Sequence, residues 1–304
     1  MDDLARRICA ANAQITRGGV SWKHFGDGFP NIVFQKERQI RKKQVAFLAS
    51  FSRQGNIFEQ LCAMLTLARC GVQHLKIVLP FFPGFQDRVE EEGQVVTGEL
   101  LAKMLSMMPI CGQGPAEIVM YDIHALQLRG NFGNQVIPRL KTGIKYLREQ
   151  LVGMENLAIC FPDAGARNRF EKMFAGLDLI ICEKVRNGEE RVVTLIEGDP
   201  RGKHVVIVDD GIQTGGTTIN CREVLVNAGA NKVSAYSTHG IFPKESWRRF
   251  LDAGFEKVWF TDSCPESAAL LADKLPFSVI SLAHSIARVL VDTDELTDSA
   301  VPEA

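Results

Sequence analysis

Short apolar runs alternate along this chain with longer segments in which apolar residues recur every three or four positions. The runs have the length and composition of buried β-strands, and the longer segments have the period of helices. This alternation predicts an α/β fold in which mostly parallel sheets are flanked by helices on both faces. The predicted strands are residues 44–49, 75–79, 118–121, 157–161, 179–183, 205–208, 233–237 and 257–261. The predicted helices are residues 4–12, 57–70, 96–107, 219–228 and 282–291, with one more ending near 152.

The two halves of the pattern resemble each other in outline, although no residue-by-residue repeat relates them. A chain of 304 residues is long enough for two domains of ordinary size. We predict one domain at 1–139 and a second at 140–281, with the helix at 282–291 packing back on the first. Residues 292–304 are acidic and polar, and we expect them to be disordered.

Charge and cysteine usage narrow the class of protein. The formal net charge of −1 lacks the basic excess of a general nucleic-acid surface. Since no apolar run is long enough to span a membrane or to form a signal peptide, we expect a soluble, cytoplasmic protein. The cysteines lie in apolar patterns without any C-x-x-C pair, as expected for reduced core residues. They are Cys9, Cys62, Cys70, Cys111, Cys160, Cys182, Cys221 and Cys264.

The most informative segment is VVIVDDGIQTGGTT, residues 205–218. It predicts a buried strand that ends in two carboxylates, Asp209 and Asp210, followed by a glycine-rich turn and the start of a helix. Backbone N–H groups and the positive helix end would converge where a phosphate can bind. Because carboxylates facing a phosphate would repel it, Asp209 and Asp210 are expected to accept hydrogen bonds from sugar hydroxyls or to help hold Mg²⁺. The predicted ligand is a ribose phosphate.

Common nucleotide-binding motifs fit this chain poorly. Residues 198–204 contain a Gly-Lys pair, but the glycine spacing is one residue short for a Walker A loop and His204 stands where Ser or Thr is needed. Gly112-Gln113-Gly114 is followed by proline and not by the glycine that opens a dinucleotide-binding helix. A strand, a Gly-Gly turn and a helix also occur in many α/β proteins without this function, so the acidic pair is what favours the ribose phosphate.

Polar residues follow other predicted strands, where open α/β sheets bind ligands. Taken singly, each has a structural explanation: His124 as a satisfied structural histidine, Asp163 as a helix cap, and Lys184 with Arg186 as a solvated turn. The segments concerned are residues 81–88, 121–127, 161–166 and 182–186.

In their order and spacing, these segments resemble the ribose-phosphate diphosphokinases, or phosphoribosyl pyrophosphate synthetases, and most closely the plant-type, phosphate-independent branch. The matching segments are FGDGFPN at 25–31, VAFLASFS at 45–52, LPFFP at 79–83, DIHALQ at 122–127, KVR at 184–186, HVVIVDD at 204–210 and THGIFP at 238–243. The resemblance covers residues 25–291. It implies two tandem phosphoribosyltransferase-type domains, and a reaction in which ATP and ribose 5-phosphate give AMP and 5-phosphoribosyl 1-diphosphate.

The resemblance also implies a role for each matching position. The sugar 5-phosphate would lie on Gln213, Thr214, Gly215, Gly216 and Thr217, and the ribose hydroxyls on Asp209 and Asp210. ATP would lie against Phe25, Asp27, Gln86, Arg88 and His124, with Mg²⁺ held by His124 and Asp163. Lys184 and Arg186 match a mobile catalytic loop. The family's nucleotide site is often completed by a neighbouring subunit, which implies a homo-oligomer.

Departures from the commoner pattern of the family leave alternatives open. Phe29 and Gln213 replace acidic residues, as in the plant-type branch. The 81–88 loop is one residue shorter than in the commoner pattern and has one arginine fewer. One alternative is a non-catalytic, synthetase-like regulatory subunit, although the predicted site residues are all retained. The other is a phosphoribosyltransferase that consumes the diphosphate product, which would leave the first domain unexplained.

Overall fold

The computed structural model describes residues 1–52, 54–84, 93–187 and 190–291, with the side chains of 54, 184–187 and 190–192 left out of the description. These residues form two compact units, one running to Lys141 and resuming at Leu282, the other spanning Thr142–Ser281. The expectation of a disordered tail at 292–304, and the predicted ATP contacts Gln86 and Arg88, lie outside the described residues.

Helices and strands alternate through both units. The helices are α1 Asp2–Ala11, α2 Glu37–Ile40, α3 Ile57–Arg69, α4 Thr97–Leu105, α5 Ile144–Leu151, α6 Ala164–Phe170, α7 Gly216–Asn227, α8 Pro265–Leu271 and α9 Ala283–Val291. The strands are β1 Gly19–His24, β2 Pro30–Gln35, β3 Gln44–Leu48, β4 His74–Leu79, β5 Ala116–Tyr121, β6 Val136–Lys141, β7 Leu157–Phe161, β8 Asp178–Asn187, β9 Glu190–Glu197, β10 His204–Ile212, β11 Lys232–Gly240, β12 Val258–Thr261 and β13 Phe277–Ile280. Short 3-10 segments lie at Gln54–Asn56, Leu126–Asn131, Glu171–Phe174 and Pro243–Phe250.

The first unit contains a parallel sheet in the order β3-β4-β5-β6 and a separate antiparallel hairpin, β1-β2. The C-terminal helix α9 belongs to this unit and is joined to its sheet by two hydrogen bonds. The buried Lys76 donates to the carbonyl oxygen of Val289 over 2.7 Å, and the Tyr121 hydroxyl donates to Ser285 over 2.8 Å. Burying a lysine is tolerated because its ammonium group is paired in this way.

The second unit contains one sheet in the order β13-β12-β11-β10-β7-β8-β9, which is parallel apart from the antiparallel pair β8-β9. From β7 the chain moves outward through β8 and β9, and from β10 it moves the other way through β11, β12 and β13. Strands β7 and β10 therefore flank a topological switch point, and ligands of open α/β sheets bind at the carboxyl ends of such strands.

Strand β10 explains why the sequence run at 205–208 is apolar throughout. Val205 and Ile207 pack in a core that includes Cys221 and Leu225 of α7, while Val206 and Val208 pack in a second core on the opposite face. Because helices cover both faces, successive residues of the strand are all buried. The predicted α/β class, with mostly parallel sheets flanked by helices, is confirmed.

Candidate active site

The predicted phosphate loop connects β10 to α7. Gly215 lies just before the first turn of α7 and has a left-handed backbone, with φ 76° and ψ 0°. A Cβ atom there would overlap the buried ring of Phe250, so conformation and space both require glycine. At Gly216 a Cβ atom would have no neighbour closer than 3.8 Å. The chain thus combines a turn that requires glycine with a helix N-terminus, an arrangement suited to binding phosphate.

Two side chains of the segment Pro243–Phe250 hold this loop. Ser246 Oγ donates to the carbonyl oxygen of Gln213 over 2.8 Å, and Arg249 Nη1 donates to that of Thr214 over 2.8 Å. Both bonds engage carbonyl oxygens whose negative dipoles would otherwise oppose an anion. The sequence did not single out Ser246 or Arg249, since each lies more than thirty residues beyond its loop partner.

The two predicted carboxylates lie at the carboxyl end of β10 and project from opposite faces of the strand. Asp210 is only 4% exposed, and its Oδ2 lies 3.0 Å from Nη1 of Arg169 in α6. The Arg169 guanidinium is also 5.0 Å from the ring centre of Phe170. Asp209 is half-buried and accepts a hydrogen bond from the Asp210 N–H over 2.8 Å. Arg169 is a site residue that the sequence did not reveal.

Asp209 lies in a surrounding that opposes its charge. Burial raises the pKa of Asp209 well above its usual value, and the neighbouring Asp210 and Asp163 carboxylates add to this increase. A carboxyl group with a strongly perturbed pKa at the end of a strand is typical of a functional site. A ligand that donates hydrogen bonds, or a cation, would relieve this repulsion.

Asp209→Asn is expected to stabilise the ligand-free protein near neutral pH and to have much less effect near pH 4. The raised pKa means that the folded state binds more protons than the unfolded state between the usual pKa and the folded one, so wild-type stability falls as pH rises through this range. Melting temperatures of both proteins from pH 4 to pH 8 test this. A constant difference across the series would contradict it.

Asp163 begins α6 immediately after β7. Its Oδ1 accepts the N–H of Ala166 over 3.0 Å, so the helix-cap interpretation of this residue is correct. A Cβ atom at Gly165 would lie 3.2 Å from the same oxygen, and glycine therefore leaves room beside the carboxylate. Its carboxylate also affects Asp209 electrostatically across the β7-β10 switch point.

The predicted ATP contacts Phe25 and Asp27 lie in the turn of the β1-β2 hairpin. Asp27 Oδ1 accepts the N–H of Phe29 over 3.0 Å, and Gly28 has a φ of 86°. Phe25 is 56% exposed, so it is not a core residue. An exposed aromatic ring at a hairpin turn is available for stacking on a planar ligand.

His124 follows β5 at the carboxyl edge of the first sheet. Strand β5 ends at Tyr121, the Asp122 N–H donates to the carbonyl oxygen of Lys141 over 2.9 Å, and Ile123 is buried. His124 itself is partly exposed. The imidazole thus lies at a strand end, the position that the sequence predicted for it.

Lys184 and Arg186 lie within β8 and not in a loop. The sequence predicted a strand ending at 183, but β8 continues to Asn187 because it pairs with β9, with Lys184 opposite Val193 and Arg186 opposite Arg191. This antiparallel extension was not predicted. The side chains of Lys184 and Arg186 lie outside the described residues.

The THGIFP segment at 238–243 ends β11 beside the site and contributes to a buried polar cluster. Thr261 Oγ1 and Ser263 Oγ both donate to the carbonyl oxygen of Thr238, over 2.6 and 3.0 Å, and His239 Nδ1 lies 2.9 Å from Ser263 Oγ. A Cβ at Gly240 would lie 2.5 Å from the ring of Phe260. These contacts give the segment a role in fixing the carboxyl ends of β11 and β12.

Among the described residues, no helix has both the length and the apolar character needed to cross a bilayer.

Comparisons with known proteins agree with this geometry. Residues 1–108 match a family model described as the N-terminal domain of ribose phosphate pyrophosphokinase, and residues 180–294 match the phosphoribosyl synthetase-associated domain. A crystal structure of phosphoribosylpyrophosphate synthetase from Mycobacterium smegmatis shares the fold, with a TM-score of 0.77, 23% identity, and coverage of 95% of this chain and 94% of that one.

Sequence identity to curated relatives shows which family the chain belongs to. The chain is 49% identical to ribose-phosphate pyrophosphokinase 3, mitochondrial, of Spinacia oleracea, over 94% of this chain and 73% of that protein. It is 48% identical to ribose-phosphate pyrophosphokinase 4 of Arabidopsis thaliana, over 95% of this chain and 89% of that protein. The chain therefore belongs to the ribose-phosphate pyrophosphokinase family and, within it, to the plant-type branch.

Proposed function

We propose that this chain transfers the β,γ-diphosphoryl group of ATP to the 1-hydroxyl of ribose 5-phosphate, giving 5-phosphoribosyl 1-diphosphate and AMP. The observation that carries the proposal is the β7-β10 switch point, where a phosphate-type loop lies directly beside two acidic strand-end residues. Family membership supports the same reaction. The ligands are then ATP and ribose 5-phosphate.

The sugar would bind along the strand-turn-helix segment of the second unit. The N–H groups and hydroxyls of Gln213 to Thr217 would bind the 5-phosphate at the start of α7. Asp209 and Asp210 would accept hydrogen bonds from the ribose hydroxyls, and these bonds would offset the repulsion that raises the pKa of Asp209. Arg169 would orient Asp210 for this contact through its ion pair.

In the transfer step, the anomeric hydroxyl of the sugar attacks the β-phosphorus of ATP, and the bond to the α-phosphate breaks to release AMP. Catalysis of such a step consists mainly of alignment and of neutralising the charge on the transferred group. Lys184 and Arg186 are the proposed sources of positive charge. The proposed adenine contacts are Phe25 and Asp27, together with Gln86 and Arg88, which stay predictions from sequence.

The proposed cofactor is Mg²⁺, with Asp163 as its protein contact in the second unit, and the assignment of His124, in the first unit, to the same ion stays a prediction from sequence. Asp163 offers a hard carboxylate oxygen with glycine beside it, which suits an ion that takes few protein ligands and fills its shell with water and phosphate oxygens. When bound, Mg²⁺ neutralises phosphate charge. His124 would contribute by orienting the nucleotide phosphates.

One assay tests the reaction against its rivals. The purified protein is incubated with ATP, Mg²⁺ and ribose 5-phosphate, and AMP is measured with and without the sugar. AMP release that requires the sugar supports the proposal. Binding of both ligands without turnover would favour the regulatory-subunit alternative, and turnover only with 5-phosphoribosyl 1-diphosphate and a base would favour a transferase.

Substitutions at Asp163 separate its two roles. Asp163→Asn keeps a side-chain oxygen for the Ala166 N–H but removes the charge, so we expect near-normal stability with a higher Mg²⁺ requirement for AMP formation. Asp163→Ala loses the cap as well, at a cost of about 1 kcal/mol of folding free energy. Urea unfolding and Mg²⁺ titrations of both variants test this. Identical stabilities of the two variants would contradict the cap.

Arg169→Met is expected to destabilise the protein by about 3 kcal/mol, because it removes the ion pair between Arg169 and the buried Asp210 carboxylate. We also expect the KM for ribose 5-phosphate to rise at least about tenfold, equivalent to about 1.4 kcal/mol. Arg167→Met is the matched control. Arg167 lies in the same helix, but its ion pairs with Glu171 and Glu197 are more exposed, so the expected loss is below about 1 kcal/mol. Equal losses would contradict the role of Arg169.

The cytoplasmic location and the homo-oligomeric state stay predictions. The spinach relative is named mitochondrial, and another at 46% identity, from Oryza sativa subsp. japonica, is named chloroplastic. The eight cysteines are free thiols in the structure, which fits a reducing compartment, and among such compartments we propose the cytosol. Microscopy of the tagged protein in its own cells tests the location, and sedimentation of the purified protein tests the assembly.

A further inference from the structure

Three cysteines converge in the core of the second unit, one each from β7, β8 and α7. Cys160 Sγ lies 3.8 Å from Cys182 Sγ and 3.7 Å from Cys221 Sγ, and all three sulfurs lie within 4.8 Å of one another. Each residue has 0% of its surface exposed. The sequence predicted reduced core cysteines but not this cluster, because the three residues are far apart along the chain.

We propose that Cys160, Cys182 and Cys221 form a binding site for one soft d¹⁰ metal ion in three-coordinate geometry, and that monovalent copper is the ion that suits it. The binding itself is independent of the proposed reaction.

The sulfur triangle has the size that such an ion requires. With two separations of 3.7 and 3.8 Å and the third no longer than 4.8 Å, a point equidistant from the sulfurs lies about 2.1 to 2.4 Å from each. Metal–thiolate bonds are about 2.3 Å long. An ion at that point would therefore bond to all three sulfurs with little movement of the backbone.

The donor set selects among metals. Thiolate sulfur favours Cu(I), Zn²⁺ and iron–sulfur clusters, whereas Mg²⁺ and Ca²⁺ favour oxygen. Structural Zn²⁺ is almost always four-coordinate. Within the part of the chain that the structure describes, no fourth His, Cys, Asp or Glu joins this group. Full burial also leaves no exposed face for a water ligand, so a three-coordinate ion fits best.

The thiolate is the form of cysteine that binds metals, so each thiol of the cluster that ligates releases its proton on binding.

The position of the cluster gives it a consequence for the site. Cys160 lies three residues before Asp163, Cys182 two residues before Lys184, and Cys221 four residues after Thr217. An ion bonded to all three sulfurs would cross-link β7, β8 and α7, the elements next to these site residues. Bound copper should therefore raise the melting temperature of the protein, since three sulfurs already placed together in the folded state bind the ion more tightly than the dispersed thiols of the unfolded chain.

The test uses the full chain, reduced and stripped of metal. Cu(I) is titrated without oxygen against a competing Cu(I) chelator, and retained copper and sulfur-to-copper charge-transfer absorption are measured. We expect one equivalent to be retained, with a higher melting temperature. Cys182→Ser should lose this equivalent. The control Cys264→Ser should keep it, since Cys264 is buried in the same unit outside the cluster.

Three outcomes would overturn the proposal. Copper retained by Cys182→Ser would mean that the ion is not held by all three sulfurs of the cluster but by two of them or by the partly exposed Cys9, Cys62 or Cys70. Preferential retention of Zn²⁺ would contradict three-coordinate geometry, and retention of no metal would mean that the thiols only pack. If Cys182→Ser fails to fold, X-ray absorption spectroscopy of the wild-type copper complex provides the test. We expect three sulfur ligands at about 2.3 Å from copper. Any other number or type of ligand atoms would contradict the site.

Discussion

Lys184→Ala is expected to lower the rate of AMP formation by about 100- to 1000-fold, while the KM values for ATP and ribose 5-phosphate change little. The reason is that the charge on the transferred diphosphoryl group builds up in the transition state. A cation that meets this charge only there contributes to kcat and not to ground-state binding. Steady-state kinetics with AMP as the measured product test the prediction.

The matched control for this variant is Lys232→Ala. Lys232 is the first residue of β11, at the amino end of an interior strand of the same sheet, and forms an exposed ion pair with Glu256 at 3.0 Å. Its removal should leave the rate within about a factor of two, because exposed ion pairs contribute little. Near-normal AMP formation by Lys184→Ala would remove Lys184 from the proposed mechanism. A rise in KM alone would reassign it to substrate binding.

The buried strands of this fold could be predicted from sequence because their consecutive residues are apolar. Strand β7 was predicted at 157–161 and spans Leu157–Phe161. The run at 205–208 is apolar on both faces of β10, as a strand covered by two layers of helices requires. Sequence reasoning succeeds here because local pattern and tertiary burial agree.

The edge strand β6 and the hairpin β1-β2 lacked this agreement and were missed. Strand β6 contains Pro138 and Arg139, and a proline in a strand is tolerated only where one side has no partner. The hairpin β1-β2 exposes Trp22 and Val33, so neither of its strands shows a continuous apolar run. In both cases hydrogen bonds to a neighbouring strand, and not burial, define the element.

The same distinction holds within the site. The phosphate loop and the carboxylates of Asp209 and Asp210 follow one another in sequence and were predicted together. The ion pair between Arg169 and Asp210 joins two elements 41 residues apart, and only the fold reveals it. Asp163 shows a further limit: a helix cap and a cation ligand require the same side chain, so the sequence could not separate them.

The site also concentrates features that cost stability. Asp209 is held beside two other carboxylates, and Gly215 occupies a left-handed conformation against a buried aromatic ring. Functional sites commonly contain such unfavourable contributions to the free energy of folding, and packing of the surrounding core offsets them. Substitutions here should therefore affect folding and ligand binding together, and an experiment must measure both.

Gly215→Ala is expected to destabilise the protein by about 2 to 5 kcal/mol and to abolish saturable binding of ribose 5-phosphate. A left-handed conformation costs a non-glycine residue about 1 to 2 kcal/mol, and forcing a methyl group into a packed core costs about 1 to 3 kcal/mol more. The methyl group would overlap Phe250, which is fully buried and contacts Phe242 and Phe277. Because these rings pack around Phe250, we expect the turn to shift rather than the ring.

Gly216→Ala is the matched control for stability, one residue further along the same loop. Its Cβ would have no neighbour closer than 3.8 Å, and alanine is a better helix former than glycine in the first turn of α7. We expect its folding free energy to stay within about 1 kcal/mol of wild type. Urea unfolding of both variants and calorimetric titration with ribose 5-phosphate provide the measurement. If Gly215→Ala were as stable as Gly216→Ala, the left-handed turn against Phe250 would not be what shapes the phosphate loop.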